Sequence, residues 1–136
     1  MDNNTIIVFV EKHEDGTYWA TSQNYQGVVS TFAETFEELQ QNFEKAFLDN
    51  IELAKELEEP YANDYEDVEF DYKMDLSSFF ELVPELKISS IAKKADLNES
   101  LLRQYKTGKK VASKDQVNKI QAAVHDLGRE LLAIHF

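Results

Sequence analysis

At Asp75 the hydrophobic period of the chain changes. Before it, Val68, Phe70, Tyr72 and Met74 alternate with Glu69, Asp71, Lys73 and Asp75, the two-residue period of a strand with one exposed face. Beyond it, apolar residues recur at intervals of three and four. The two periods put different side chains on a common face, so the two stretches cannot share one regular element. The chain is therefore expected to be α+β and divided in two. Residues 1–75 should form a β-β-β-α-β sheet with one covering helix, and residues 76–136 an all-α part.

The elements follow from local pattern. Thr5–Lys12 contains the run Ile6, Ile7, Val8, Phe9, Val10, as expected of a central strand buried on both faces. Asp15-Gly16 is turn chemistry, Thr17–Ser22 is the return strand, and Val28–Phe32 follows the break at Tyr25-Gln26-Gly27. Thr35 and Glu38 fit a capping box. The helix they open carries Phe36, Leu39, Phe43, Ala46, Phe47, Leu53, Ala54 and Leu57 near helical spacing and ends at Glu58-Glu59-Pro60. Residues 60–66 read as a loop. Further on, Asp75 can cap a helix stopped near Pro84, and Ile88–Ala95 forms a short one. Asn98 caps another that ends at Gly108, and Ser113 opens a long one running to about Ile134.

Charge follows the same division. Residues 1–84 carry 4 Lys or Arg against 20 Asp or Glu, a net of −16, while residues 85–136 carry 10 against 6, a net of +4. Such asymmetry implies two parts with different electrostatic tasks: an acidic half repels nucleic acid, and a basic half gains from phosphates through counterion release.

The segment from Ile88 to Ser113 holds the densest local signal. Two short amphipathic helices meet at a compact turn, where Ala92 and Ala95 keep the first helix thin and Leu97 can enter the core. Leu101, Leu102 and Tyr105 form the inner face of the second helix, leaving Asn98, Glu99, Ser100, Arg103, Gln104, Lys106 and Thr107 for contact with DNA. Arg and Gln can make paired hydrogen bonds to guanine and adenine edges. Lys93, Lys94, Lys109 and Lys110 suit phosphates. Residues 88–114 hold seven Lys or Arg and two acids, a local net of +5. A solvated helical bundle would also tolerate those lysines, but the small residues, the turn Leu, the caps and the charge reversal together favour a helix-turn-helix. The stretch resembles the Cro/repressor type through Tyr105, Gly108-Lys109 and the Ser113 cap.

In the first half, Asp15-Gly16-Thr17-Tyr18-Trp19-Ala20 is followed by Gly27, by Thr35-Phe36-Glu37-Glu38-Leu39, and later by Asn42 and Ala46. That order resembles the HicB antitoxin family, whose N-terminal domain has a similar Asp-Gly-x-Tyr-x-Ala turn, a Gly before the third strand and a Thr-x-Glu-Glu-Ala helix start. Family members commonly carry Pro-Gly-Cys at the third strand, where this chain has Gln26-Gly27-Val28, and Leu39 replaces a frequent Ala. The resemblance covers about residues 5–75, and the Cro-like end extends it over most of the chain. It implies a degraded ribonuclease-H-like N-terminal domain without nuclease activity. Such a domain would bind a small basic HicA-like toxin that cleaves mRNA, while the helix-turn-helix, as a homo-dimer or dimer of dimers, represses the shared operon. The acidic first half is complementary to the positive surface that an RNA-cutting partner needs.

Catalysis has little to build on. Asp64, Glu66, Asp67, Glu69, Asp71 and Asp75 could in principle hold a metal, but alternation puts Glu69, Asp71 and Asp75 on an exposed face, so no metal site is expected. His13, His125 and His135 are far apart, and the four glycines form no phosphate loop. No cysteine is present to act as nucleophile or metal ligand. No catalytic residue and no cofactor are therefore expected. The polar start Met1–Thr5 lacks the basic-then-apolar pattern of a secretory signal, and a cytoplasmic location is expected. Two other readings stay open: a stand-alone transcriptional regulator whose first domain senses a small molecule, and an adaptor whose basic helices hold an acidic protein.

Overall fold

The structure, a computed structural model, describes residues 5–136, so that Met1–Asn4 of the polar start lie outside the described residues. It is α+β, with a four-stranded mixed sheet and five α-helices. The chain divides between Asp75 and Leu76 into two compact units. The first holds β1 (Thr5–Lys12), β2 (Tyr18–Ser22), β3 (Ser30–Ala33), α1 (Phe36–Glu56) and β4 (Glu69–Met74). The second holds α2 (Leu76–Leu82), α3 (Ile88–Lys94), α4 (Glu99–Lys106) and α5 (Lys114–Ala133).

In the first unit the strand order is β3-β2-β1-β4. β1, β2 and β3 run antiparallel in sequence, with Val10 opposite Ala20 and Trp19 opposite Phe32. The chain then crosses through α1, and β4 returns parallel to β1, with Val8 level with Tyr72. A parallel return needs a long crossover, and α1 supplies it. The hairpin between β1 and β2 closes through His13, whose N–H donates to the Thr17 carbonyl at 2.8 Å. Gly16 sits there at φ +88°, a backbone region that favours glycine.

Helix α1 begins at a Thr35 cap: Thr35 Oγ1 accepts from the Glu38 N–H at 3.1 Å. Leu39, Phe43, Phe47, Ile51 and Ala54 form its buried stripe against Ile6, Val8, Val10, Tyr18 and Ala20. Phe70 and Tyr72 of β4 complete this core, with the Phe70 ring edge-on to Phe47 at 5.4 Å and to Phe43 at 5.8 Å. Ile51 was not among the expected inward residues, while Leu53 and Leu57, which were, are exposed. Two helical residues turn the side chain by about 200°, so Leu53 cannot share a face with Ile51.

Three other expectations need correction. The central strand is fully buried on one face only: Ile7 and Phe9 are half-buried, since α1 covers the opposite side. On the uncovered face Trp19 stacks on Phe32 at 4.9 Å and on His13 at 5.2 Å. The third strand runs two residues later than its apolar start implied, and Val28 is exposed while Val29 is buried. The loop after α1 contains a turn of 3-10 helix at Pro60–Asp64, where proline's fixed φ suits a helix start.

The second unit is helical, with no strand among its residues. Phe80, Ile88, Ile91, Ala92, Leu102, Tyr105 and Ile120 form its core, flanked by Leu76, Phe79, Leu86, Leu97, Leu101, Val124 and Leu127. By sequence, residues 1–75 have 4 Lys or Arg against 19 acids, and residues 76–136 have 10 against 7. The change of charge therefore coincides with the boundary between the units.

Candidate nucleic-acid interface

Helix α3 ends in a tight left-handed turn. Asp96 takes φ +57°, the Asp96 N–H donates to the Lys93 carbonyl at 3.2 Å, and the Leu97 N–H reaches the Ala92 carbonyl at 2.8 Å. These bonds satisfy carbonyls that a helix end leaves free. Leu97 is partly buried against the core, and Ala92 and Ala95 are buried. One residue on, Asn98 caps α4, its Oδ1 accepting from the N–H of Ser100 at 2.8 Å and of Leu101 at 3.3 Å. Asn98 is thus engaged in starting the helix, although it stays exposed.

Leu102 and Tyr105 bury one side of α4, and Leu101 lies at the margin. The side opposite presents Glu99, Ser100, Arg103, Lys106 and Thr107, all exposed. An exposed row with this spacing spans two turns of helix, the reach of a helix that probes a groove. Arg103 Nη2 lies 3.5 Å from Glu99 Oε1, with both side chains well exposed. A pair so hydrated contributes little and yields readily to a stronger acceptor. Thr107 follows the helix, and its Oγ1 donates to the Gln104 carbonyl at 3.3 Å.

Gln104 departs from the pattern. It is half-buried, and its Oε1 is enclosed without a hydrogen-bond partner. It therefore stands at the margin of the exposed row, beside rather than within it. Its backbone carbonyl accepts from the Lys110 N–H at 3.2 Å, which fixes the loop after α4. Gly108, at φ +79°, turns that loop, and Lys109 and Lys110 are exposed on it. Ser113 then caps α5, accepting from the Gln116 N–H at 3.3 Å.

The two lysines ending α3 differ. Lys93 is exposed. Lys94 Nζ is 2.7 Å from Glu130 Oε1 on α5, with 28 % of the lysine side chain exposed. Glu130 was missed in the sequence because it is 36 residues away and no local spacing links the two. The expected phosphate contacts thus divide into exposed cations, Lys93, Lys109 and Lys110, and one engaged cation, Lys94.

Among the described residues no group of three or more His, Asp or Glu is placed to share an ion. Asp71 pairs with Lys73 at 4.0 Å, and both side chains are more than half exposed. Beside β3 and α1 lies an open groove of about 390 Å³ lined by Thr31, Phe32, Asn42 and Asp49 among others. Asn42 Nδ2 donates to the Phe32 carbonyl there at 3.3 Å, covering part of the edge of β3. Among the described residues no helix is long and apolar enough to cross a membrane. Compared with protein families, curated proteins and solved structures, the chain matches none.

Proposed function

We propose that this chain is the non-catalytic antitoxin of a type II toxin-antitoxin pair. Its acidic unit captures and neutralises a small, basic, mRNA-cleaving toxin of the HicA kind. Its basic unit is a helix-turn-helix, with α4 as the reading helix, and represses the operon that encodes both proteins. The observation that carries this reading is the exposed row Glu99, Ser100, Arg103, Lys106, Thr107 on α4, in a helical unit whose charge is opposite to that of the sheet unit.

The tight α3–α4 turn, the cap at Asn98 and the lysines on both sides of α4 support groove reading. The charge of the first unit supports capture, because a strongly negative domain accelerates encounter with a cationic partner and lowers its own affinity for nucleic acid. The sheet order β3-β2-β1-β4, with α1 in the crossover to a parallel β4, is compatible with a shortened ribonuclease-H-like domain.

The test is co-expression. A short basic protein encoded beside this chain's gene should arrest growth when expressed alone, and the full chain should relieve the arrest and co-purify with it. A neighbouring product that is harmless, or whose toxicity persists with the full chain present and soluble, would refute the antitoxin reading.

A further inference from the structure

The inward stripe of α5 runs beyond the body it packs on. Ile120 and Ala123 are buried, Val124 and Leu127 are partly buried, and Leu131, on the same face, is 62 % exposed. Leu132 is 83 % exposed and Ile134 57 %, and Phe136 stands free. Ile134 leaves the helix in an extended conformation, at φ −95° and ψ 132°. Four large apolar side chains thus crowd within six residues, with apolar surface on the order of 500 Å². Together they offer about as much apolar area as the largest patch an ordinary monomer shows, and more than half of what each partner buries in a standard interface.

We infer that this end of α5 is the pairing surface of the chain and that its occupant is the same surface of a second copy. Electrostatics selects both the unit and the partner. Two copies of the sheet unit, each with 4 basic against 19 acidic residues by sequence, repel one another. The end of α5 carries charges of both signs, Asp126, Arg129 and Glu130, as a two-fold contact requires, since every group on such a patch must also tolerate its own copy. Arg129 already bonds Asp126, and Glu130 bonds Lys94, so little unpaired charge would be buried with the leucines. An apolar centre with a polar rim is the anatomy of a lasting interface. The inference deepens the DNA-reading proposal, on which it rests only for the expectation that such helices work in two-fold pairs.

The experiment is sedimentation of the full chain at tens of micromolar, with a variant carrying Leu131→Asp and Leu132→Asp. Both side chains are exposed, so the helical signal in circular dichroism should be unchanged. The intact chain should sediment at twice 15.7 kDa and the variant at 15.7 kDa. A spin label on a single cysteine introduced as Ala133→Cys, in a chain with no other cysteine, should show broadening by a second label that disappears in the aspartate variant. A monomeric intact chain, whether the patch is covered by the chain's own sheet unit or left open, overturns the inference. So does a dimer that survives both aspartates. A dimer lost with the aspartates but indifferent to DNA sequence upholds the inference and counts against the DNA-reading proposal alone.

Discussion

Arg103 reaches back one helical turn to Glu99, Nη2 to Oε1 at 3.5 Å, on the exposed side of α4. The pair leaves the guanidinium hydrated near the middle of the row. On this account Arg103→Ala costs operator binding about 1–3 kcal/mol and relaxes preference at one base pair. Glu99→Gln releases Arg103 and removes a negative charge from the row, so it should tighten binding to all duplexes. Fluorescence anisotropy with operator and random duplexes distinguishes the two effects.

The proposed phosphate contacts should separate by salt dependence. Lys109→Ala and Lys110→Ala should each weaken every sequence alike and lower the logarithmic salt slope by about one. Lys94 is held by Glu130 at 2.7 Å, so Lys94→Ala should change the slope less. Glu130→Gln should free Lys94 and raise affinity, most visibly at low salt. A slope unchanged by Lys109→Ala and Lys110→Ala together would place the phosphates elsewhere.

Core substitutions should report on each unit by its own spectroscopic signal. Phe43 and Leu102 are both wholly buried, one under the sheet and one at the centre of the helical unit. Phe43→Ala should cost about 3–5 kcal/mol and Leu102→Ala about 2–5 kcal/mol. The near-ultraviolet signal of the aromatic cluster around Phe43 and Phe70 should register the first in urea titrations. Losses under 1 kcal/mol would contradict the packing described.

Gly27 is a packing glycine. A Cβ there would meet Tyr25 Cε2 at 2.6 Å and Asn50 Oδ1 at 3.0 Å. The Tyr25 ring cannot easily yield, because its hydroxyl donates to Asn50 Oδ1 at 2.6 Å and its faces and edges meet Phe47, Tyr61 and Tyr65. Gly27→Ala should therefore cost about 1–3 kcal/mol. Burial also pushes the Tyr25 hydroxyl up to about 12, helped by Tyr61 and Tyr65. The unfolded chain ionises this tyrosine near 10 while the folded chain keeps its proton. Stability is thus undiminished below pH 10 and falls as the pH rises from 10 to about 12. Denaturant titrations of the native chain and of Tyr25→Phe across that window should diverge, the variant losing less on going alkaline.

The sequence was most legible where a local rule had one solution. Thr35, Asn98 and Ser113 cap the helices their spacing announced, because a cap bonds a backbone N–H two or three residues away. The change of period at Asp75 falls at the boundary between the units for a similar reason: periodicity records which side chains share a buried face. Less legible was whatever depended on tertiary neighbours. The apolar run of β1 reads as buried on both faces, yet Ile7 and Phe9 lie where no helix of that unit covers them. Gln104 sits one residue from Arg103 and was grouped with it, but a step of about 100° carries it to the margin of the row. The bond from Lys94 to Glu130 joins residues that only folding brings together.

Sequence-specific DNA binding is the central claim, and titration of the full chain onto the duplex upstream of its own gene tests it most directly, against a scrambled duplex of equal length at moderate salt. The account predicts a preference of about a thousandfold or more for the upstream duplex. Arg103→Ala should shrink that preference, costing the upstream duplex more than the scrambled one. Equal affinity for the two duplexes, or no binding to either at low salt by a folded chain, would contradict it.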